Sequence, residues 1–196
     1  MKAPKRRTAP TKMQIRTREE FERFIEKVDD PAYHAFFTLL FFTGRRKGEI
    51  LALKPEKVNL KKKTITFDAL ITRHTIDSAA YRETTTKAEK VQTVPICDVV
   101  TRELTAYKGQ APYYFGGERP LAHTTLTRYL QKKCEEAGVK IIRIHDLRHS
   151  FVSMPIHLGT NYMVVVDLIG DTVEQVLKTY AHLYESDKLD IISEIK

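Results

Sequence analysis

The sequence lacks most features of a secreted, disulfide-bonded or membrane-spanning protein. Its two cysteines, Cys97 and Cys134, are too few for a disulfide framework and do not show the spacing of metal ligands. No apolar run is long enough to cross a membrane, and no apolar stretch follows the charged amino terminus as it would in a signal peptide. We therefore expect a cytoplasmic protein with no metal site and no membrane partner.

Acidic residues are fewer than basic ones, and the start of the chain has none. The 196 residues include 33 Lys and Arg but 25 Asp and Glu, which gives a formal net charge of +8 and a pI near 9.4. Residues 1–12 hold five basic residues and no acidic one. This excess favours a polyanionic partner. With Pro4 and Pro10, residues 1–16 are predicted to form a basic arm or linker, and a merely solvated tail is the alternative.

Length and periodicity predict one domain that is mostly helical. A capping box from Thr17 to Glu20 opens the first helix, and the apolar run 35–42 predicts a central helix that Gly44 ends. Between about residues 62 and 96 the pattern changes to the alternation of short strands, although residues 72–83 fit no element. Helical periodicity then resumes. The predicted fold class is α+β, mostly helical with a small three-stranded antiparallel sheet.

Four cationic side chains precede one tyrosine, and together they indicate phosphodiester chemistry. The cationic side chains are Arg46, Lys87, His145 and Arg148, and the tyrosine is Tyr180. His145 and Arg148 lie on one helix face. Arginines can hold the non-bridging oxygens of a phosphate, which gain charge in the transition state. A tyrosine can attack phosphorus to form a covalent intermediate. These parts can cut a phosphodiester without a metal.

The sequence around these residues resembles the catalytic domain of the tyrosine recombinases, or phage integrases. The matching segments are Thr-Gly-Arg-Arg-Lys-Gly-Glu at 43–49, Ile-His-Asp-Leu-Arg-His-Ser-Phe at 144–151 and Lys-Thr-Tyr-Ala-His-Leu at 178–183. The resemblance covers nearly the whole chain from about Thr17, and integrases of Gram-positive phages and conjugative transposons are similar to it. It does not extend to the DNA-binding domain that this family places before the catalytic one.

The resemblance implies a role for each of these residues. Arg46, His145 and Arg148 would bind the scissile phosphate, and Tyr180 would attack it to form a 3′-phosphotyrosine. Lys87 would protonate the 5′-oxygen that leaves. Lys90 is an alternative for that role, because the turn at 87–90 departs from the family's usual Lys-Thr-Gly. Since strand transfer to another 5′-hydroxyl reverses the first step, the resemblance implies no cofactor.

Neighbouring residues would have supporting roles. Glu49 would support the cations of the site, and His182 is a supporting candidate beside Tyr180. The residues expected to bind DNA are Arg45, Lys47 and Lys90. His149, which lies inside the second segment, is interpreted as structural.

Asp171 departs from the family's pattern, which commonly has histidine or tryptophan at this position after a glycine. A carboxylate repels a phosphodiester unless it is turned away or protonated. We therefore predict that Asp171 caps the helix of Tyr180, with Glu174 completing the box, and that it can also touch a cationic residue of the site.

These observations predict a site-specific DNA recombinase with three segments. Residues 1–16 form the arm, 17–186 the catalytic domain, and 187–196 a tail that protomers can exchange. The expected partner is double-stranded DNA carrying a recombination site, on which a monomeric protein assembles as a tetramer. Two alternatives stay open. One is a type IB topoisomerase, which shares this chemistry, and the other is a catalytically defective DNA-binding remnant of a mobile element.

Overall fold

The structure is a computed structural model, and it describes residues 14–73, 81–85 and 91–181. The predicted arm up to residue 13, the tail 187–196, and Lys87, Lys90 and His182 lie outside the described residues. Within the described ranges the chain forms eight α-helices, five short β-strands and a 3₁₀ turn at Pro55–Lys57. The elements are α1 (Arg18–Ile25), α2 (Pro31–Thr43), α3 (Lys47–Leu51), β1 (Val58–Asn59), β2 (Thr64–Phe67), β3 (Ala69–Arg73), β4 (Tyr81–Thr85), β5 (Gln92–Pro95), α4 (Asp98–Tyr107), α5 (His123–Glu136), α6 (Ile144–His157), α7 (Tyr162–Ile169) and α8 (Val173–Tyr180). None of these helices is long and apolar enough to span a bilayer.

Helix α2 forms the centre of the main core, as its sequence predicts. It begins at Asp30, whose carboxylate accepts the backbone N–H groups of Ala32 and Tyr33. Its residues 35–41 are all buried, and it contacts α1, α3, α4 and α6. Aromatic rings fill the contact with α1, where Phe21 stacks on Phe41 with ring centroids 3.8 Å apart. A helix that is apolar on every side can be stable only in such a position.

The strands form two antiparallel sheets, one of which the sequence predicted. The three-stranded sheet has the order β1-β2-β5, with Ile65 opposite Val94. The second sheet pairs β3 with β4, with Ile71 opposite Glu83. It was missed because β4 is polar and shows no alternation of apolar side chains. Glu83 instead accepts a hydrogen bond from the hydroxyl of Tyr113 at 2.7 Å and pairs with Lys54 at 3.3 Å.

Helices α6, α7 and α8 share a second, smaller core. Its buried apolar residues are Val152, Ile156, Val165, Ile169, Val176 and Tyr180. Helix α6 packs against α2 as well as against α7, so it joins the two cores. The small core thereby fixes the last helix, which carries Tyr180, relative to the central helix of the domain.

We expect the glycine that ends α2 to matter more for stability than the glycine that follows α5. Gly44 and Gly138 both have left-handed φ angles, of +60° and +61°. A Cβ at Gly138 would meet nothing within 4 Å, whereas at Gly44 it would collide with the ring of Phe151. Gly138→Ala should lower the unfolding free energy by about 1 kcal/mol, from backbone strain alone. Gly44→Ala should lower it by about 2–4 kcal/mol, because Phe151 must also move. Urea denaturation compares the variants, and equal losses would contradict this account.

Candidate active site

The turn between α2 and α3 places Arg46. Gly44 ends α2 in the left-handed conformation, and Arg46 then becomes the N-cap residue of α3. Glu49 accepts the backbone N–H of Arg46 at 2.7 Å, and its other carboxylate oxygen lies 3.7 Å from the Arg46 guanidinium. The buried Glu49 therefore contacts Arg46, and its supporting role in the site stays a prediction. The Arg46 side chain remains 29% exposed, so its guanidinium can meet a ligand.

The structure does not agree with the prediction that Arg45 binds DNA, because this arginine is buried. Its side chain is only 3% exposed. The guanidinium carbon lies 4.6 Å from the centre of the Phe67 ring, Nε lies 3.2 Å from Glu49, and a terminal nitrogen donates to Gln92 at 2.6 Å. Arg45 thus links α3 to β2 and β5 from inside the protein. Its neighbour Lys47 is partly exposed and lies 2.9 Å from a ring nitrogen of His123, and burial lowers its pKa to about 8.

Arg148 is buried where two helices end. One terminal nitrogen donates to the carbonyl oxygens of Gly44 at 2.7 Å and Ile169 at 3.0 Å, at the carboxyl ends of α2 and α7. The negative ends of helix dipoles favour a cation there. The other terminal nitrogen donates to Asp171 at 2.8 Å. Burial lowers the pKa of Arg148, and the carboxylate of Asp171 partly offsets this effect. Three hydrogen bonds therefore hold the guanidinium in one orientation.

Asp171 bridges the two arginines of the site. One carboxylate oxygen accepts from Arg46 at 3.2 Å, and the other accepts from Arg148 at 2.8 Å. The predicted contact with a cationic residue is confirmed, but the predicted cap is wrong. The N-cap of α8 is Thr172, whose hydroxyl accepts the N–H of Gln175. Two overlapping capping patterns start at residues 171 and 172, and Asp171 binds the arginines while Thr172 caps the helix.

The hydroxyl of Tyr180 contacts His149, a residue for which the sequence predicts a structural role. The phenolic oxygen lies 2.6 Å from Nδ1 of His149, and the two side chains belong to buried residues. Burial raises the pKa of Tyr180 to about 12. Burial and the neighbouring His145 lower the pKa of His149 to about 4. The signal that could have revealed His149 is its position directly after Arg148, one helical turn from His145.

One pocket brings these side chains together. It is lined by Arg46, His145, Arg148, His149, Asp171, Thr172, Gln175, Thr179 and Tyr180. Four of the five residues predicted to act on a phosphate therefore share this pocket, and Lys87 lies outside the described residues.

Partial desolvation lowers the pKa of His145, and Arg148 lowers it further, so its ring is neutral at pH 7. Among residues 14–73, 81–85 and 91–181, no cluster of three or more His, Cys, Asp or Glu side chains is close enough to hold a metal ion.

The sequence profile of the phage integrase family matches residues 15–187. The chain belongs to the phage integrase family. ICEBs1 integrase of Bacillus subtilis (strain 168) is 28% identical over 204 residues, which cover 91% of this chain and 55% of that protein. Tyrosine recombinase XerA of Pyrococcus furiosus is 26% identical over 178 residues, or 85% of this chain and 56% of the relative. This integrase-family chain thus spans about half the length of the curated relatives it matches.

Solved structures of family members have the same fold. The Tn1549 transposon integrase in complex with circular intermediate DNA matches with a TM-score of 0.76 at 18% identity, over 97% of this chain and 69% of that one. The crystal structure of XerA recombinase matches with a TM-score of 0.72 at 20% identity, over 95% and 66% of the two chains. These likenesses confirm the α+β class that the sequence predicted.

The neutral state of His149 predicts that mild acid destabilises the fold. Its pKa is about 4 in the folded chain, against an ordinary value of 6.5. Between these pH values the unfolded chain binds a proton that the folded chain does not, so stability falls as pH decreases through this window. The loss attributable to His149 should be about 3 kcal/mol. His149→Asn removes this titration, so its unfolding free energy should fall less between pH 7 and pH 4. Parallel pH curves for the two proteins would contradict the assignment.

We also predict that removing the charge of Asp171 destabilises the fold in a way that anions reverse. Asp171→Asn leaves the buried Arg148 without its carboxylate and should lower the unfolding free energy by about 2–4 kcal/mol. Inorganic phosphate should raise the melting temperature of this variant more than that of the wild type, because the ion can replace the lost carboxylate. Asp167→Asn, at an exposed position on α7, is the matched control and should change stability by less than about 0.5 kcal/mol. If phosphate raised the melting temperature of Asp171→Asn no more than that of the wild type, the prediction would be contradicted.

Proposed function

We propose that this chain is the catalytic domain of a site-specific DNA recombinase, which cuts and rejoins DNA through a covalent bond to Tyr180. One observation carries the proposal. The tyrosine lines the same pocket as two arginines that already share an anion, the carboxylate of Asp171. A nucleophile beside such an anion site is the minimum arrangement for metal-independent attack on a phosphodiester.

The two arginines are arranged to bind the non-bridging oxygens of one phosphate. Each arginine donates to a different oxygen of Asp171, and the two can donate to two oxygens of a tetrahedral phosphate in the same way. Arg148 has five N–H groups. Three of these donate to Gly44, Ile169 and Asp171, which leaves two for a substrate. Its anchoring holds those donors in place before DNA arrives, so little reorganisation is needed during the reaction.

The proposed cleavage step is balanced without a cofactor. The phenolic oxygen of Tyr180 attacks phosphorus, and a tyrosine O–P bond to the 3′-phosphate forms as the P–O5′ bond breaks. The phenol releases its proton to water, and the departing 5′-oxygen takes up a proton from Lys87, with Lys90 as the alternative donor. The neutral His145 supports a phosphate oxygen through a hydrogen bond. Attack by a 5′-hydroxyl on the phosphotyrosine then reverses the step, so the bond energy is retained.

Double-stranded DNA is the proposed partner. Relatives include integrases and tyrosine recombinases, and solved structures of similar proteins include the Tn1549 integrase in complex with transposon right end DNA and XerH site-specific recombinase bound to palindromic difH substrate. The net charge of +8 suits such a substrate, and residues 1–16 supply a basic arm that can follow the phosphate backbone. Lys47 is a further DNA contact. We propose a monomer that assembles into a tetramer on its site in the cytoplasm.

We expect covalent attachment to DNA to depend on the hydroxyl of Tyr180. The assay uses a nicked suicide duplex of the recombination site, with EDTA present, and detects a protein–DNA band under denaturing conditions. Wild type and the control Tyr162→Phe, which alters an exposed tyrosine of α7, should form the band. Tyr180→Phe should form none, and Arg148→Ala should form it about 100- to 1000-fold more slowly.

Other outcomes identify the alternatives. A band that persists in Tyr180→Phe would disprove the nucleophile. No band in wild type that still binds the duplex would indicate a defective DNA-binding remnant. Relaxation of supercoiled DNA without transfer to a second duplex would indicate a type IB topoisomerase.

A further inference from the structure

One helix holds both the phosphate-binding arginine and the partner of the nucleophile. His149 directly follows Arg148 on α6, and its Nδ1 lies 2.6 Å from the hydroxyl of Tyr180 on α8. The two residues are 31 positions apart in the chain, so this contact is tertiary. The residues are 9% and 4% exposed, which excludes most of the water that would otherwise compete for the hydrogen bond.

The small core fixes the distance between the two side chains. Val176 of α8 is buried together with Val152 of α6 and Val165 of α7. The ring of His149 also meets the ring of His145 edge to face, with centroids 4.8 Å apart. The imidazole is therefore held from several sides, and a side chain packed in this way does not change rotamer freely. The contact with Tyr180 is part of the packed structure.

The hydrogen bond has a defined direction. Burial lowers the pKa of His149 to about 4 and raises that of Tyr180 to about 12, so at neutral pH the imidazole is neutral and the phenol keeps its proton. A neutral imidazole offers one acceptor nitrogen, and a phenol is a good donor. The phenol donates to Nδ1, and its hydrogen lies on the histidine side of the oxygen. The lone pairs of the oxygen are then left for another partner.

We propose that His149 is a positioning residue for the nucleophile, holding the hydroxyl of Tyr180 so that its oxygen can attack a phosphate bound by Arg148. This inference rests on the proposed function and adds a residue to it. Because His149 and Arg148 are adjacent on α6, this one helix positions both the nucleophile and the phosphate. A displacement of about 1 Å at such a site can cost two orders of magnitude in rate.

A purely structural role for His149 predicts a different result. If His149 only filled the core, its replacement would change stability and leave the rate of the folded protein unchanged. If it positions Tyr180, the rate of attack must depend on an acceptor atom at the place of Nδ1, and DNA affinity must not. Two substitutions separate these cases, because Asn can supply an amide oxygen near that place whereas Leu fills similar space without an acceptor.

The test measures the single-turnover rate of covalent attachment to a saturating suicide duplex, with the full chain. His149→Leu should slow attachment about 30- to 100-fold. His149→Asn should recover most of the rate, to within about fivefold of wild type. His157→Asn, at the exposed end of the same helix, is the matched control and should react like wild type. DNA affinity, measured in a Tyr180→Phe background, should change less than about twofold in each variant, because the phosphate contacts are intact.

The outcomes separate failure of this inference from failure of the proposed function. A wild-type rate in His149→Leu, or equal losses in the Leu and Asn variants, would overturn the positioning role alone. Absence of attachment in wild type would overturn both proposals. If His149→Leu does not fold, wild type with 3-fluorotyrosine at position 180 provides the readout. Its fluorine resonance should shift as pH falls through about 4, where His149 gains a proton, and should not shift in His149→Asn. A resonance insensitive to pH in both proteins would overturn the inference.

Discussion

The site depends on one carboxylate held between two guanidinium groups. The positive charges of Arg46 and Arg148 would repel each other across Asp171, and the burial of Arg148 also removes most of its contact with water. Asp171 offsets both costs, because it gives one oxygen to each arginine. The carbonyl groups at the ends of α2 and α7 accept hydrogen bonds from the other terminal nitrogen of Arg148. The hydrogen bonds of Asp171 also connect α3, α6 and the turn before α8. The charged residues of the site therefore stabilise the packing of the elements that form the pocket.

This arrangement explains how an unusual residue can be compatible with phosphate chemistry. A free carboxylate beside a phosphodiester would oppose binding. Here each oxygen of Asp171 already faces a cation, and Arg148 keeps two N–H groups that none of its three acceptors uses. A histidine or tryptophan at this position could donate to a phosphate oxygen. Asp171 instead orients the two arginines, and under the proposed function the donors to the phosphate come from Arg46, Arg148 and His145.

The sequence predicted the parts of the structure that local signals encode. The capping box at Thr17, the Asp-Pro start of α2 and the glycine after it gave correct helix ends, because each signal acts within one turn of the chain. The motif residues Arg46, His145, Arg148 and Tyr180 do meet in one pocket. Their catalytic roles, and that of Lys87, stay predictions until they are measured.

Most of the failures involve contacts between distant residues. Arg45 looks like a surface cation in an arginine-rich turn, and only the positions of Phe67 and Gln92 show that it is buried. Two capping patterns overlap at residues 171 and 172, and the choice between them depends on arginines elsewhere in the chain. The place of His149 after Arg148 could mark it as a site residue, but its contact with Tyr180 could not be read from the motif, because Tyr180 lies on α8. The β3–β4 pair was missed because a polar strand has no apolar periodicity.

The most direct test of this account is a crystal structure of the protein soaked with tungstate, a tetrahedral anion of phosphate-like shape. The account predicts tungstate in the described pocket, with oxygens in hydrogen-bond distance of both Arg46 and Arg148 and beside the hydroxyl of Tyr180. It also predicts that Arg148 keeps its bonds to Gly44 and Ile169. Tungstate bound to other cations while this pocket stays empty, or an Arg148 that leaves those carbonyls, would contradict the claim that the two arginines form a preorganised phosphate site.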